Sequence, residues 1–153
     1  MRTVGVAQSF SGTVHEAERC WCDVSRWPDW VDGLERVDEC SGHWPQIGAV
    51  VKWSSGPAGR GHVVERVVAY EPLDGQTVEV EDDSIRGRQS VSVVPAEEGV
   101  EVALRLEYEI KKRSLFTAAV DWLFIRGAME RSLRATLTRF GAELAATRQS
   151  GLS

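Results

Sequence analysis

The sequence predicts an α+β fold: a curved, seven-stranded antiparallel sheet around one long C-terminal helix, with two short helices after the first strand. Three observations carry that expectation. Between Leu34 and Ile110 apolar residues tend to recur at alternate positions, broken by clusters of Gly, Pro, Asp and Ser. From Ser114 to about Thr147 there is no proline, and the apolar residues step by three and four. A sheet with one apolar face must cover that face, and the terminal helix is the one element long enough to do so.

The elements follow in order. Val4 and Val6 alternate in a strand over Thr3–Phe10, which Gly12 ends. Thr13, with Glu16 three residues later, is a capping box opening a helix over Val14–Asp23. Trp27-Pro28-Asp29-Trp30-Val31 is a short helical turn with proline at an acceptable early position, closed by Gly33. Six strands are then predicted at Leu34–Cys40, Ala49–Ser54, Gly61–Tyr70, Gln76–Glu81, Ile85–Val94 and Val100–Ile110. The last is the clearest, with Val102, Leu104, Leu106, Tyr108 and Ile110 on one face and Glu101, Arg105, Glu107 and Glu109 on the other. Leu115, Ala119, Trp122, Ile125, Met129, Leu133, Leu137, Phe140 and Leu144 form one stripe on the terminal helix. About 30 residues at 1.5 Å each give it a length of ~45 Å. A tail over 149–153 is expected to fray, leaving 1–148 as one domain.

Composition excludes several function classes. The net charge of −5 supplies no electrostatic footprint for nucleic acid. The longest apolar stretch, Leu115–Ile125, carries Asp121 and is too short for a membrane span, which needs about 20 residues. Three cysteines, an odd number, and no signal-peptide pattern fit a reduced cytoplasmic protein. His15, His43 and His62 stand singly, without the paired spacing of a metal site, and neither metal nor cofactor is expected. The six tryptophans are the unusual feature, since large aromatics serve either a core or a pocket wall.

The order of elements resembles the START-like, or SRPBCC, proteins, which include polyketide cyclase/dehydrase and lipid-transport families and the Bet v 1-like helix-grip fold. Trp27-Pro28-Asp29-Trp30-Val31 with Leu34-Glu35-Arg36-Val37 is similar to that group's passage from short helix to strand. His43-Trp44-Pro45-Gln46-Ile47-Gly48-Ala49 is similar to its hairpin, and Val68-Ala69-Tyr70-Glu71-Pro72 to its strand ending in an aromatic–Glu–Pro turn. The resemblance covers roughly 1–148. It implies a hydrophobic cavity between sheet and helix for a lipid, polyketide or isoprenoid-like molecule. It equally admits an aromatase/cyclase or dehydratase acting on a polyketide, and a non-enzymatic interaction domain with a filled core. Fold by itself does not choose among them.

Candidate residues follow from where each strand would face. Trp27 and Trp30 either wall a pocket or plug one end of the core, and Trp53 follows Val51 on an inward face. On Gly61–Tyr70 two faces compete: His62, Val64, Arg66, Val68 and Tyr70 against Val63, Glu65, Val67 and Ala69. With the first face inward, Arg66, Tyr70 and His62, together with Tyr108, are the catalytic candidates. An inward Arg66 would need a carboxylate or a ligand carbonyl. With it outward, Arg66 pairs across the strands with a residue such as Glu79. Gln89, Leu104, Leu106 and Tyr108 are expected to face the ligand from the sheet, and Phe116, Trp122, Ile125, Met129 and Leu133 from the helix.

Overall fold

The computed structural model describes residues 2–57, 59–111 and 118–151, with side chains in the last stretch described from Phe124 onward. Seven antiparallel strands form one sheet in the order β1-β7-β6-β5-β4-β3-β2. They are β1 (Arg2–Phe10), β2 (Leu34–Ser41), β3 (Val50–Ser55), β4 (His62–Glu71), β5 (Gly75–Glu81), β6 (Ile85–Ala96) and β7 (Gly99–Ile110). Between β1 and β2 lie α1 (Val14–Cys22), a 3₁₀ turn (Val24–Arg26) and α2 (Trp27–Trp30); α3 (Ala118–Gly151) follows β7. This is the Bet v 1-like helix-grip arrangement.

Local chemistry sets the element boundaries. Thr13 Oγ1 accepts from the Glu16 amide at 3.1 Å, and the Thr13 amide donates to Glu16 Oε1 at 3.0 Å. Both otherwise unpaired amides at the start of α1 are therefore satisfied. Thr13→Ala is expected to cost about 1 kcal/mol of stability, read as a lower urea midpoint at unchanged slope. An unmoved midpoint would show the box to be idle. Pro28 sits in the first turn of α2, and the Asp23 carboxylate receives the Ser25 amide at 3.2 Å. Gly87 faces inward on β6, opposite Tyr108. A Cβ there would overlap the Glu107 carbonyl oxygen, so only glycine lets the two strands close at that point.

The core lies between the sheet and α3. Leu133, Leu137, Phe140 and Leu144, at steps of four, three and four, are buried on α3. They meet Val4 and Val6 of β1 and Val100, Val102, Leu104 and Leu106 of β7 in one cluster. The helix runs on to Gly151, so residues 149–151 of the expected frayed tail are helical. Its arginines do more than complement the helix dipole. Arg139 pairs with Asp32 at 3.2 Å and Arg148 with Glu16 at 3.3 Å, tying α3 to the corner after α2 and to α1. All three cysteines are free thiols. Burial raises Cys20 to about 11 and Cys22 to about 12, so neither is a thiolate at neutral pH.

A β-bulge settles the two competing faces of β4. The register shifts between Val67 and Ala69. Before the shift Val63 and Val67 are buried, and Glu65 shares their inward parity. After it, Tyr70 pairs with Gln76 and turns towards α1, where its hydroxyl donates to Glu18 Oε1 at 2.7 Å. Each face of the alternation therefore holds over only part of the strand.

Candidate functional site

Between the sheet and α3 the structure leaves a cavity of about 40 Å³. Five tryptophans, Trp21, Trp27, Trp30, Trp44 and Trp53, border it. α1 and α2 bring three of these rings together, because Trp21 is on the buried side of α1 and Trp27 and Trp30 occupy the two ends of α2. Trp21 and Trp30 lie 4.7 Å apart by ring centroid, and Phe140 of α3 meets them edge-on at 5.0 and 5.1 Å. Trp44, from the loop between β2 and β3, meets Trp27 edge-on at 5.2 Å. The sheet contributes Trp53, Glu65, Gln76, Val78, Gln89, Val91 and Leu104.

Polar side chains share this lining with the indoles. Trp53 Nε1 donates to Glu65 Oε2 at 2.7 Å. The Arg60 guanidinium lies over the Trp53 ring, its Cζ 5.6 Å from the centroid, and Arg60 Nε donates to Asp82 Oδ2 at 2.7 Å. Asp82 is buried, and its other oxygen accepts the Ser84 and Ile85 amides at 2.7 and 2.9 Å. Burial pushes the Glu65 carboxyl above the usual carboxylate range, while the Trp53 N–H and the Arg60 charge pull it the other way. At the rim, Asp32 is held by α3 at three points. Its amide donates to Thr136 Oγ1 at 3.0 Å, Ser132 Oγ donates to Oδ2 at 2.8 Å, and Arg139 pairs with Oδ1.

Three buried donors on these walls have no acceptor among the described residues: Trp30 Nε1, Trp44 Nε1 and Nη2 of Arg60. Two other wall indoles are paired: Trp27 Nε1 donates to the Trp21 carbonyl at 2.9 Å and Trp53 Nε1 to Glu65. Each of the three belongs to a residue bordering the cavity, and an unmet buried donor is costly.

Of the sequence candidates, Trp27, Trp30, Trp53, Gln89, Leu104 and Leu133 border this cavity. Leu106 and Tyr108 are fully buried in the main core away from it. Burial raises the Tyr108 phenol, whose hydroxyl has no partner among the described residues. Ile125 and Met129 pack half-buried against the core and do not border the cavity. Phe116 and the Trp122 side chain lie outside the described residues. The catalytic candidates are not brought together. Arg66 is exposed on the outer face opposite Glu79, because the valines around it take the inward positions and a guanidinium is cheaper to leave in water. His62 is exposed on the same side, its Nδ1 3.2 Å from Ser54 Oγ. Tyr70 is inward but belongs to the α1 end, bonded to Glu18. The expected hollow is thus mostly occupied by tryptophan rings.

Sequence reasoning missed Trp21, Trp44, Arg60 and Glu65 as cavity residues. A carboxylate between Val63 and Val67 at alternate positions was the available signal for Glu65. For Arg60, in a glycine-rich loop, there was none.

A family model described as polyketide cyclase / dehydrase and lipid transport matches residues 1–145. No curated protein matches the chain. Among solved structures, a Thermus thermophilus protein is similar with a TM-score of 0.77 and 16% identity, over 95% of this chain and 99% of its own. A Rhodobacter sphaeroides protein is similar with a TM-score of 0.72 and 20% identity, over 95% and 93% of the two chains. Norcoclaurine synthase from Thalictrum flavum, in complex with dopamine and hydroxybenzaldehyde, is similar with a TM-score of 0.70 and 14% identity, over 95% and 87%. At these identities the likeness is one of fold.

Proposed function

The chain belongs to the polyketide cyclase / dehydrase and lipid transport family, and on that premise we propose that it binds a small, largely apolar ligand between its sheet and α3. One observation carries the reading: five of the six tryptophans border one cavity under α3. A flat apolar guest gains from stacking against such rings. The closed volume of about 40 Å³ is far below the roughly 300–1,000 Å³ of ordinary ligand sites. Binding therefore opens the rim, where Asp32 is latched to Ser132, Thr136 and Arg139. Three free thiols fit a cytoplasmic setting for such a carrier.

The same small volume favours a second reading, a non-enzymatic interaction domain with a filled core. Titration with Nile red, an uncharged flat fluorophore, separates the two. The ligand-binding reading expects saturable binding at micromolar concentration, with quenching of tryptophan emission. It also expects loss of binding in Leu133→Phe or Val78→Phe, whichever keeps the parent circular dichroism. No saturable binding, or equal binding by the filled variants, would favour the closed core.

A further inference from the structure

We propose that the outer edge of β1 is an interface for a second copy of this chain, the two β1 strands pairing antiparallel about Ala7 so that one sheet runs through both. The interface is independent of ligand binding in the cavity. An open sheet has two edges, here β1 and β2. β2 is guarded: it carries Glu35, Arg36, Asp38 and Glu39 and shifts register twice against β3, features that discourage pairing with another chain. β1 has none of these devices. Its nine residues pair with β7 without a shift, it holds no proline, and its one charged residue, Arg2, is at its start. Thr3, Gly5, Ala7 and Ser9 are exposed, and for Gly5, which has no side chain, the exposed part is backbone.

Strand parity fixes which backbone groups this edge offers. The Phe10 carbonyl oxygen lies against Gly99 of β7, so the even-numbered residues turn their N–H and C=O groups to β7. The odd-numbered residues turn theirs outward. At Thr3 the carbonyl is taken, by Arg126 Nη1 of α3 at 3.1 Å. Further along, α3 keeps to the inner face, where Gln8 Nε2 donates to Thr138 Oγ1 at 3.0 Å. The outward groups of Gly5, Ala7 and Ser9 have no partner among the described residues. Pairing about Ala7 uses these three residues and spares Thr3. Gly5 meets the partner's Ser9, Ala7 meets the partner's Ala7, and about six N–H···O bonds form. This twofold register also matches charge. Arg105 stands beside Gly5 and Glu101 beside Ser9. A row across both sheets therefore has Arg105 at one end and the partner's Glu101 at the other, ~14 Å apart over small residues. Pairing about Val6 would need the occupied Thr3 carbonyl and would align Glu107 with the partner's Glu101.

Sedimentation equilibrium of the full chain, joined to amide hydrogen exchange by ¹⁵N NMR, tests the interface. Dimer is expected at about 100 μM chain and mainly monomer at about 1 μM. The Gly5, Ala7 and Ser9 amides should exchange at least about tenfold more slowly at the higher concentration, while Val6 and Gln8, already bonded to β7, change little. Ala7→Lys sets like charges together on the twofold axis, and Ala7→Pro removes an outward N–H that β7 does not use. Each should weaken self-association at least about tenfold with the parent circular dichroism kept. In a Cys40→Ser background, Ala7→Cys should link to its own copy on mild oxidation and Ser9→Cys should not, because the two Ser9 positions would lie ~13 Å apart. A monomer at every concentration, or a dimer in which these three amides stay fast, would overturn the proposal. So would amides slowed only by an added extended peptide, Thr-Val-Thr-Val-Thr, which would give the edge to a different partner. A Ser9→Cys link as ready as the Ala7→Cys link would overturn the register about Ala7.

Discussion

Trp30→Ala is expected to lower the free energy of unfolding by about 3–5 kcal/mol, seen as a large drop in urea midpoint. Trp30 is 1% exposed and sits where α1, α2 and α3 converge. Its ring meets Trp21 at 4.7 Å, Phe140 at 5.1 Å and Trp27 at 6.5 Å. Alanine removes the aromatic contacts together with the buried area, and a four-residue α2 has no backbone reserve with which to collapse into the gap. For a protein of ordinary stability, about 5–15 kcal/mol, the loss is a large fraction of the whole. Trp30→Phe provides the contrast. It keeps much of the apolar ring and deletes a buried N–H that has no acceptor among the described residues, so the expected loss is only about 1 kcal/mol. An alanine variant with the parent midpoint would show that this aromatic cluster does not hold the helices to the sheet.

Asp82→Ala is the second large effect, also about 3–5 kcal/mol. The Asp82 side chain is 1% exposed, and three donors converge on it: Arg60 Nε and the Ser84 and Ile85 amides. Alanine strands the guanidinium, itself 17% exposed and lying over Trp53, and leaves two backbone amides of the β5–β6 turn without their acceptor. Because the pair is desolvated, the effect should change little between low and moderate salt. Asp82→Asn preserves an acceptor for the amides and should lose less. Adding Arg60→Met to Asp82→Ala removes the stranded charge and should recover part of the stability in the same urea experiment. If the double variant is no better than the single, the cost lies in the turn amides rather than in Arg60.

How much of this was legible in the sequence differs from element to element. The capping box of Thr13 and Glu16 formed where local spacing put it, since three residues suffice to bring its partners together. β7 alternates cleanly because one face meets the core and the other meets water, and its burial follows that alternation. β4 did not, because a bulge after Val67 reverses the parity and a periodic pattern has no term for an extra residue. Ahead of the bulge Val63 and Val67 take the inward positions, so Arg66 faces outward and Glu65, the less conspicuous residue, shares the inward parity.

By itself, the sequence determined the strands, the helices and the stripe of α3, because those follow from periodicity and from groups a few residues apart. It also determined that bulky indole would face the interior, since water disfavours exposing it. Only the tertiary structure decided that five tryptophans from α1, α2, β3 and a loop share one wall, and that Arg60 reaches Asp82 across separate turns. It likewise decided that three donors of residues bordering the cavity have no acceptor among the described residues. Such meetings depend on how strands register and how helices cross, which are long-range geometric outcomes that no local pattern encodes.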